Sequence, residues 1–300
     1  MDKDSVLKGL VIASHGRHYT VEMPDGSLRK CFPRGKKALA VVGDHVTITP
    51  QGTEEGVISK VLEQRNLLYR SDDARVKHFA ANVDQLLIVV APEPIFSEDL
   101  LGRALVAAHS ADIAPIILLN KSDLVALLPR ARERLAPLIA AGMQVMEVCA
   151  TQPEQIQATL GPLLQNRCNL LLGQSGMGKS TLLNALVPEA QAHTQEHSQA
   201  LGTGKHTTTS TRLYHLPNGG DLIDSPGFQA FGLYHLTSTE IEQGFPEFSA
   251  AVKHCRFYNC THRHEPGCGV LAALAQGEIS AERHELYKRI LAENEHQARY

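Results

Sequence analysis

The sequence predicts a multidomain α/β protein: a small N-terminal β-barrel, then a mainly parallel sheet flanked by helices, then a mostly helical C-terminal module. Three observations carry that expectation. Short apolar runs broken by turn residues fill residues 1–70, and longer buried-strand runs alternate with amphipathic stretches across residues 71–236. Residues 237–300 combine a cluster of cysteine and histidine with apolar residues at helical spacing. A chain of 300 residues is long enough for two or three such domains.

In the first region the strand-like runs are LVIA, HYTVEM, ALAVVGDHVTI and GVISKVLE, with the turn PDGS at Pro24–Ser27. Four or five strands in about 65 residues suit a small barrel, for which the oligonucleotide-binding fold is one candidate. The segments RHY (17–19) and RKCF (29–32) can offer cations and rings to RNA, although a structural barrel or a protein adaptor fits the same pattern. Residues 64–82, a mix of acidic and basic positions, read as the connection to the next region.

Composition limits what the molecule can bind. With 29 Lys+Arg against 32 Asp+Glu and a net charge of −3, it is not a polycation, so any nucleic-acid surface has to be local. The start MDKDSVLKGL lacks the apolar core of a signal peptide and no run approaches a membrane span, so a cytoplasmic location without a membrane partner is expected. Six cysteines are too few for a disulfide scaffold, and three of them, Cys255, Cys260 and Cys268, crowd together near one end, which suggests a metal.

In the second region LLIVVA (86–91), PIILLN (115–120), NLLLG (169–173) and DLIDSPG (221–227) alternate with amphipathic stretches such as EDLLGRALVAAHS and ARERLAPLIAAG. Sheets of this kind bind ligands at the carboxyl ends of their strands, and the last three runs end in polar motifs. Gly173-Gln174-Ser175-Gly176-Met177-Gly178-Lys179-Ser180 satisfies the phosphate-loop pattern G-x-x-x-x-G-K-[ST], with Thr181 next in the helical stretch STLLNALV. The glycines let backbone N–H groups turn onto phosphates, Lys179 reaches the terminal phosphates and Ser180 can bind Mg²⁺.

Asn120-Lys121-Ser122-Asp123 closes another strand. The Asp123 carboxylate can accept from N1–H and N2–H₂ of guanine, donors that adenine lacks, while Asn120 can hold the O6/N7 side and the Lys121 stem can lie against the ring. GTP and GDP are therefore the expected substrate and product, since the wrong base would leave a buried carboxylate unpaired. Asp224-Ser225-Pro226-Gly227 is the D-x-x-G that brings an aspartate toward Mg²⁺ and the Gly227 N–H toward the γ-phosphate. The polar segment 193–211 suits a switch that supplies a threonine to the metal, with Thr208 the first choice beside Thr207 and Thr209. Cys149-Ala150-Thr151 can place a backbone N–H on the base. Phe228 stands where many GTPases carry a water-orienting glutamine, so slow intrinsic hydrolysis is expected, with His206 or a partner supplying that function.

An ordinary GTPase places the guanine motif after the phosphate loop and D-x-x-G. Here residues 120–123 precede both, so the domain is expected to be circularly permuted.

The order N-K-S-D, G-Q-S-G-M-G-K-S, G-K-H-T-T-T, D-S-P-G and then C-x₄-C-x-H-x₅-C closely resembles the RsgA (YjeQ/YloQ) family of circularly permuted ribosome-biogenesis GTPases, over nearly the whole chain. The resemblance implies an oligonucleotide-binding barrel (1–70), a circularly permuted P-loop GTPase domain (71–236) and a zinc-binding, mostly helical C-terminal domain (237–300). It also implies action late in assembly of the small ribosomal subunit and on its rRNA, with hydrolysis stimulated by that subunit and coupled to release of the GTPase or another assembly factor. The chain is expected to act as a monomer.

Cys255, Cys260, His262 and Cys268 give three thiolates and one imidazole, a set that fills a tetrahedral Zn²⁺ and leaves no position for water. Such a site is structural, and it can hold Lys253, Arg256, Phe257, Tyr258 and Arg263 against RNA. Buried free cysteines are the alternative. For the whole chain, the other readings are a GTP-gated docking module in which hydrolysis hardly matters, and a GTPase serving RNA modification or metal handling.

Overall fold

The computed structural model describes residues 7–35, 40–72, 75–190, 211–225 and 233–297. Thr208, His206, Gly227 and Phe228, with most of the expected switch segment, lie outside the described residues.

Five strands form the barrel: β1 (Leu7–Ser14), β2 (Tyr19–Glu22), β3 (Leu28–Pro33), β4 (His45–Gln51) and β5 (Glu55–Val61). Alternation turns Val11, Val21, Cys31, Val46, Ile48 and Ile58 into one sealed core. Asp25 fixes the β2–β3 hairpin by accepting from the Ser27 N–H (2.9 Å) and hydroxyl (2.6 Å). Antiparallel pairing joins β1 to β2 and β4, β2 to β3, and β4 to β5, while a parallel β3–β5 contact closes the ring. That closure is the oligonucleotide-binding topology. The stretch read as a connection is instead a hairpin, β6 (Leu67–Asp72) with β7 (Arg75–Ala81).

The larger sheet contains β8 (Gln85–Val90), β9 (Ala114–Leu119), β10 (Val145–Glu147), β11 (Cys168–Gly173), β12 (Arg212–His215) and β13 (Asp221–Asp224). Its order is β10-β9-β8-β11-β13-β12, parallel except for β12. Every residue of β8 is buried, as expected for a strand covered on both faces. The covering helices are α1 (Glu98–Ser110), α2 (Leu128–Ala140), α3 (Pro153–Leu164) and α4 (Lys179–Leu186). The C-terminal module adds α5 (Ser238–Gln243), a 3₁₀ turn (Pro246–Phe248), α6 (Ser249–Val252), α7 (Gly269–Ala275) and α8 (Ala281–Gln297). The apolar residues at helical spacing near the C-terminal end thus fall on two helices, α7 and α8, the second opened by the Ser280 hydroxyl accepting from the Arg283 N–H. Among the described residues no helix is long and apolar enough to cross a membrane.

The module sits on α1. Gly102 lets the helices close up, because a Cβ there would lie 2.3 Å from Leu286 Cδ2. Asp99 accepts from Arg103 (2.7 Å) and Arg289 (2.6 Å), and Arg103 also reaches Glu293 (2.8 Å). Phe245, Phe248 and Tyr287 share one continuous core with Leu101 and Leu105.

The barrel joins the larger sheet where β1 pairs with β12, Ala13 opposite Arg212. His215 spans that seam, its Nδ1 2.7 Å from Asp221 Oδ1 and its Nε2 2.8 Å from barrel residue Glu22 Oε2. Burial works against its protonation, but the two carboxylates outweigh burial and raise its pKa above the ordinary value. The sign follows from that direction: the contribution is full below the unfolded histidine value, about 6.5, and is lost as pH rises through the raised folded value. The thermal stability gap between wild type and His215→Gln should therefore shrink from mildly acid to alkaline pH.

Candidate functional site

The strand ends set out the site. In the sheet β9, β8, β11 and β13 lie side by side and parallel, so Asn120 after β9, the loop after β11 and Asp224 at the end of β13 meet at one edge. The strand carrying Asn120 comes before the phosphate loop in the chain, so the permutation expected from motif order is present in the fold.

Gly178 ends the loop and caps α4 with φ +90°, in the left-handed region. A Cβ there would lie 2.3 Å from Asn120 Nδ2, so glycine is required on both counts. Asn120, 1% exposed, donates from Nδ2 to the Met177 carbonyl (2.9 Å) and accepts at Oδ1 from the Ala150 N–H (3.0 Å). It ties the phosphate loop to the Cys149-Ala150-Thr151 segment, and the Ala150 N–H is spent on that tie. Met177 is itself buried beneath the loop.

Lys121 adopts φ +62°, and its ammonium donates to the Glu93 carbonyl at 2.7 Å. Ser122 N–H donates to the Val148 carbonyl at 3.2 Å. Asp123 Oδ1 accepts from the Cys149 thiol at 3.3 Å, and that sulfur lies 3.1 Å from Thr151 Oγ1. The 149–151 segment thus holds both ends of the N-K-S-D turn.

Lys179 donates to the carbonyls of Gly173 and Gln174, 2.9 Å in the latter case. Burial lowers its pKa from the ordinary lysine value, and the Asp224 carboxylate opposes that fall. Ser175, Gly176, Ser180 and Thr181 are exposed around the N-terminus of α4, where the helix dipole favours an anion. The Ser180 hydroxyl and Asp224 carboxylate are hard oxygen donors of the kind Mg²⁺ takes.

In the C-terminal module Cys255, Cys260, His262 and Cys268 bring their ligand atoms within 4.8 Å of one another. Cys255 Sγ lies 3.6 Å from His262 Nδ1 and 3.9 Å from Cys268 Sγ, and His262 Nδ1 lies 3.3 Å from Cys268 Sγ. Zinc–sulfur bonds of about 2.3 Å in a tetrahedron imply edges of roughly 3.8 Å, so the four residues fit Zn²⁺. The Cys255 sulfur accepts from Gly269 N–H and the Cys268 sulfur from Leu271 N–H. Burial, then the neighbouring thiols, push Cys260 up to about 12, an environment that a divalent cation reverses. Nothing in the local spacing pointed to Glu242, whose Oε2 lies 2.8 Å from His262 Nε2 and orients the ring. His254 and His264, although adjacent, are not in the cluster.

Barrel, permuted sheet and loop chemistry together define a circularly permuted P-loop GTPase with a Cys₃His module on its C-terminal side. The RsgA GTPase family model matches residues 61–234. The chain is 66% identical to the small ribosomal subunit biogenesis GTPase RsgA of Bordetella pertussis, over 96% of each chain. It is 58% identical to the protein of the same name from Burkholderia pseudomallei, over 95% of this chain and 92% of that one. Among solved structures it resembles YjeQ from Thermotoga maritima (TM-score 0.73, 31% identity, covering 97% of this chain and 99% of the other). It also resembles YloQ, described as a circularly permuted GTPase (TM-score 0.70, 27% identity, covering 98% and 97%). The chain belongs to the RsgA GTPase family and is a GTP hydrolase.

Proposed function

We propose that this GTPase acts as a monomer on the small ribosomal subunit and its rRNA late in assembly, in the cytoplasm. Hydrolysis is slow alone, is stimulated by the subunit, and drives release of the GTPase or of another assembly factor. The observation that carries this reading is the convergence of Asn120–Asp123, the phosphate loop and Asp224 at one sheet edge, with a barrel and a helical module flanking it. The name of its relatives, small ribosomal subunit biogenesis GTPase, supplies the partner.

Asp123 reads guanine, Asn120 and Ser122 hold the turn that presents it, and the Lys121 stem lines the base. Residues Gly173 to Thr181 cradle the phosphates. Ser180, Asp224 and Thr208 would hold Mg²⁺, which would supply charge neutralisation for the phosphates. Gly227 donates its N–H to the γ-phosphate. His206, or a group on the subunit, orients the water that Phe228 cannot. One structural Zn²⁺ is held by Cys255, Cys260, His262 and Cys268.

Single-turnover GTPase assays with and without small subunits test this reading. A slow basal rate that rises with subunits is expected, and a fast basal rate indifferent to them sinks it. A His206→Ala variant that binds GTP but hydrolyses poorly should co-sediment with subunits and stay bound. Equal release of wild type and variant would favour the docking-module reading.

A further inference from the structure

Helix α1 has an incomplete start. Its N-cap, Ser97, accepts at Oγ from the Leu100 N–H at 3.2 Å, but the residue three positions on is leucine, which cannot return a hydrogen bond to the N-cap N–H. Helix α5 shows the complete device: Glu240 accepts from the Thr237 N–H at 2.7 Å while Thr237 accepts from the Glu240 N–H. In α1 the acceptor comes from the phosphate loop instead. Ser97 N–H donates to Gln174 Oε1 at 2.6 Å, across 77 positions of sequence.

Gln174 follows Gly173 and stands at a position that the phosphate-loop pattern leaves open. Its carbonyl receives the Lys179 ammonium at 2.9 Å and the Met177 N–H at 3.4 Å. The backbone of this one residue therefore closes the loop while its side chain fastens the loop to a helix. Without that fastening, three glycines at 173, 176 and 178 leave the loop many conformations, and ordering them on binding costs affinity.

We infer that Gln174 is a positioning residue for nucleotide binding: its side-chain carbonyl pins the phosphate loop to the N-terminus of α1 by completing that helix's cap. The inference rests on the phosphate-loop reading of residues 173–180.

The experiment compares Gln174→Met, which keeps the length but removes the carbonyl, with wild type. Binding of GDP and of a nonhydrolysable GTP analogue should weaken roughly tenfold, the scale of one lost hydrogen bond. Adding Leu100→Gln rebuilds the cap from within the helix, so the nucleotide-free melting temperature should recover while the affinity does not. Wild-type affinity in Gln174→Met, or recovery of both quantities in the double variant, would overturn the inference. Leu100 packs against the core, so the double variant can fail to fold. Hydrogen exchange at the Ser97 N–H of wild type then decides: by linkage, nucleotide should slow it several-fold, and unchanged exchange counts against the inference. Lys179→Ala separates the two failures, since intact nucleotide binding there would sink the phosphate-loop reading itself.

Discussion

Lys179→Ala should lose nucleotide binding almost completely while the nucleotide-free protein melts no lower than wild type and gains a little stability. The ammonium is half-buried, its hydrogen bonds go to two loop carbonyls, and Asp224 is the carboxylate whose field reaches it. A triphosphate placed on this loop meets that cation in a partly desolvated setting, where removing one partner of a charge pair costs roughly 3–5 kcal/mol. That is a factor of about 10² to 10⁴ in affinity. Stability moves the other way. Because burial lowers the lysine pKa in the fold, the unfolded chain binds the proton more tightly, so nucleotide-free stability rises with pH up to the ordinary lysine range. Removing the ammonium relieves that cost. Titration calorimetry with GDP and thermal melts check both halves, and tight binding by the alanine variant would refute the assignment of the loop.

What the sequence disclosed and what it hid follow from the range of the interactions. Loop residues 173–180, the N-K-S-D turn and the Cys/His set were legible because each is a short pattern whose spacing is the chemistry. Strands such as β8 and β11 were legible because burial on both faces writes an unbroken apolar run. The β6–β7 hairpin was not, since its mixed charges follow no period that separates a strand from a connection. Contacts that join distant segments left no local mark: Gln174 to Ser97, Glu242 to His262, and His215 to Glu22. Asn120 shows the same limit at a legible residue. Its motif led us to expect a guanine-reading turn, but only the fold reveals that its amide is committed to Met177 and Ala150.

His262→Ala should release one zinc per chain and destabilise the protein by more than about 4 kcal/mol, the scale of losing a structural metal. The ring is 1% exposed and lies within ring-contact distance of Phe248 and Tyr287, while the His262 backbone carbonyl accepts from His284 Nε2 at 2.7 Å. Without the ion, burial disfavours the thiolates of Cys260 and Cys268 and nothing bridges the four ligands, so the segment from Cys255 to Cys268 loses its reason to fold. The damage spreads because the module shares its core with α1 and is tied to it through Arg289 to Asp99 and Arg103 to Glu293. Glu242→Gln is milder: it leaves all four ligands and weakens the ion's hold by about 10- to 100-fold. Native mass spectrometry before and after chelation counts the ion, and thermal melts measure the rest. A metal-free chain that melts with wild type would show that the cluster is only a set of buried thiols. Asp123 in the turn after β9 and Lys179 at the start of α4 both lie outside the module, so nucleotide affinity at low temperature should fall far less than the melting temperature does.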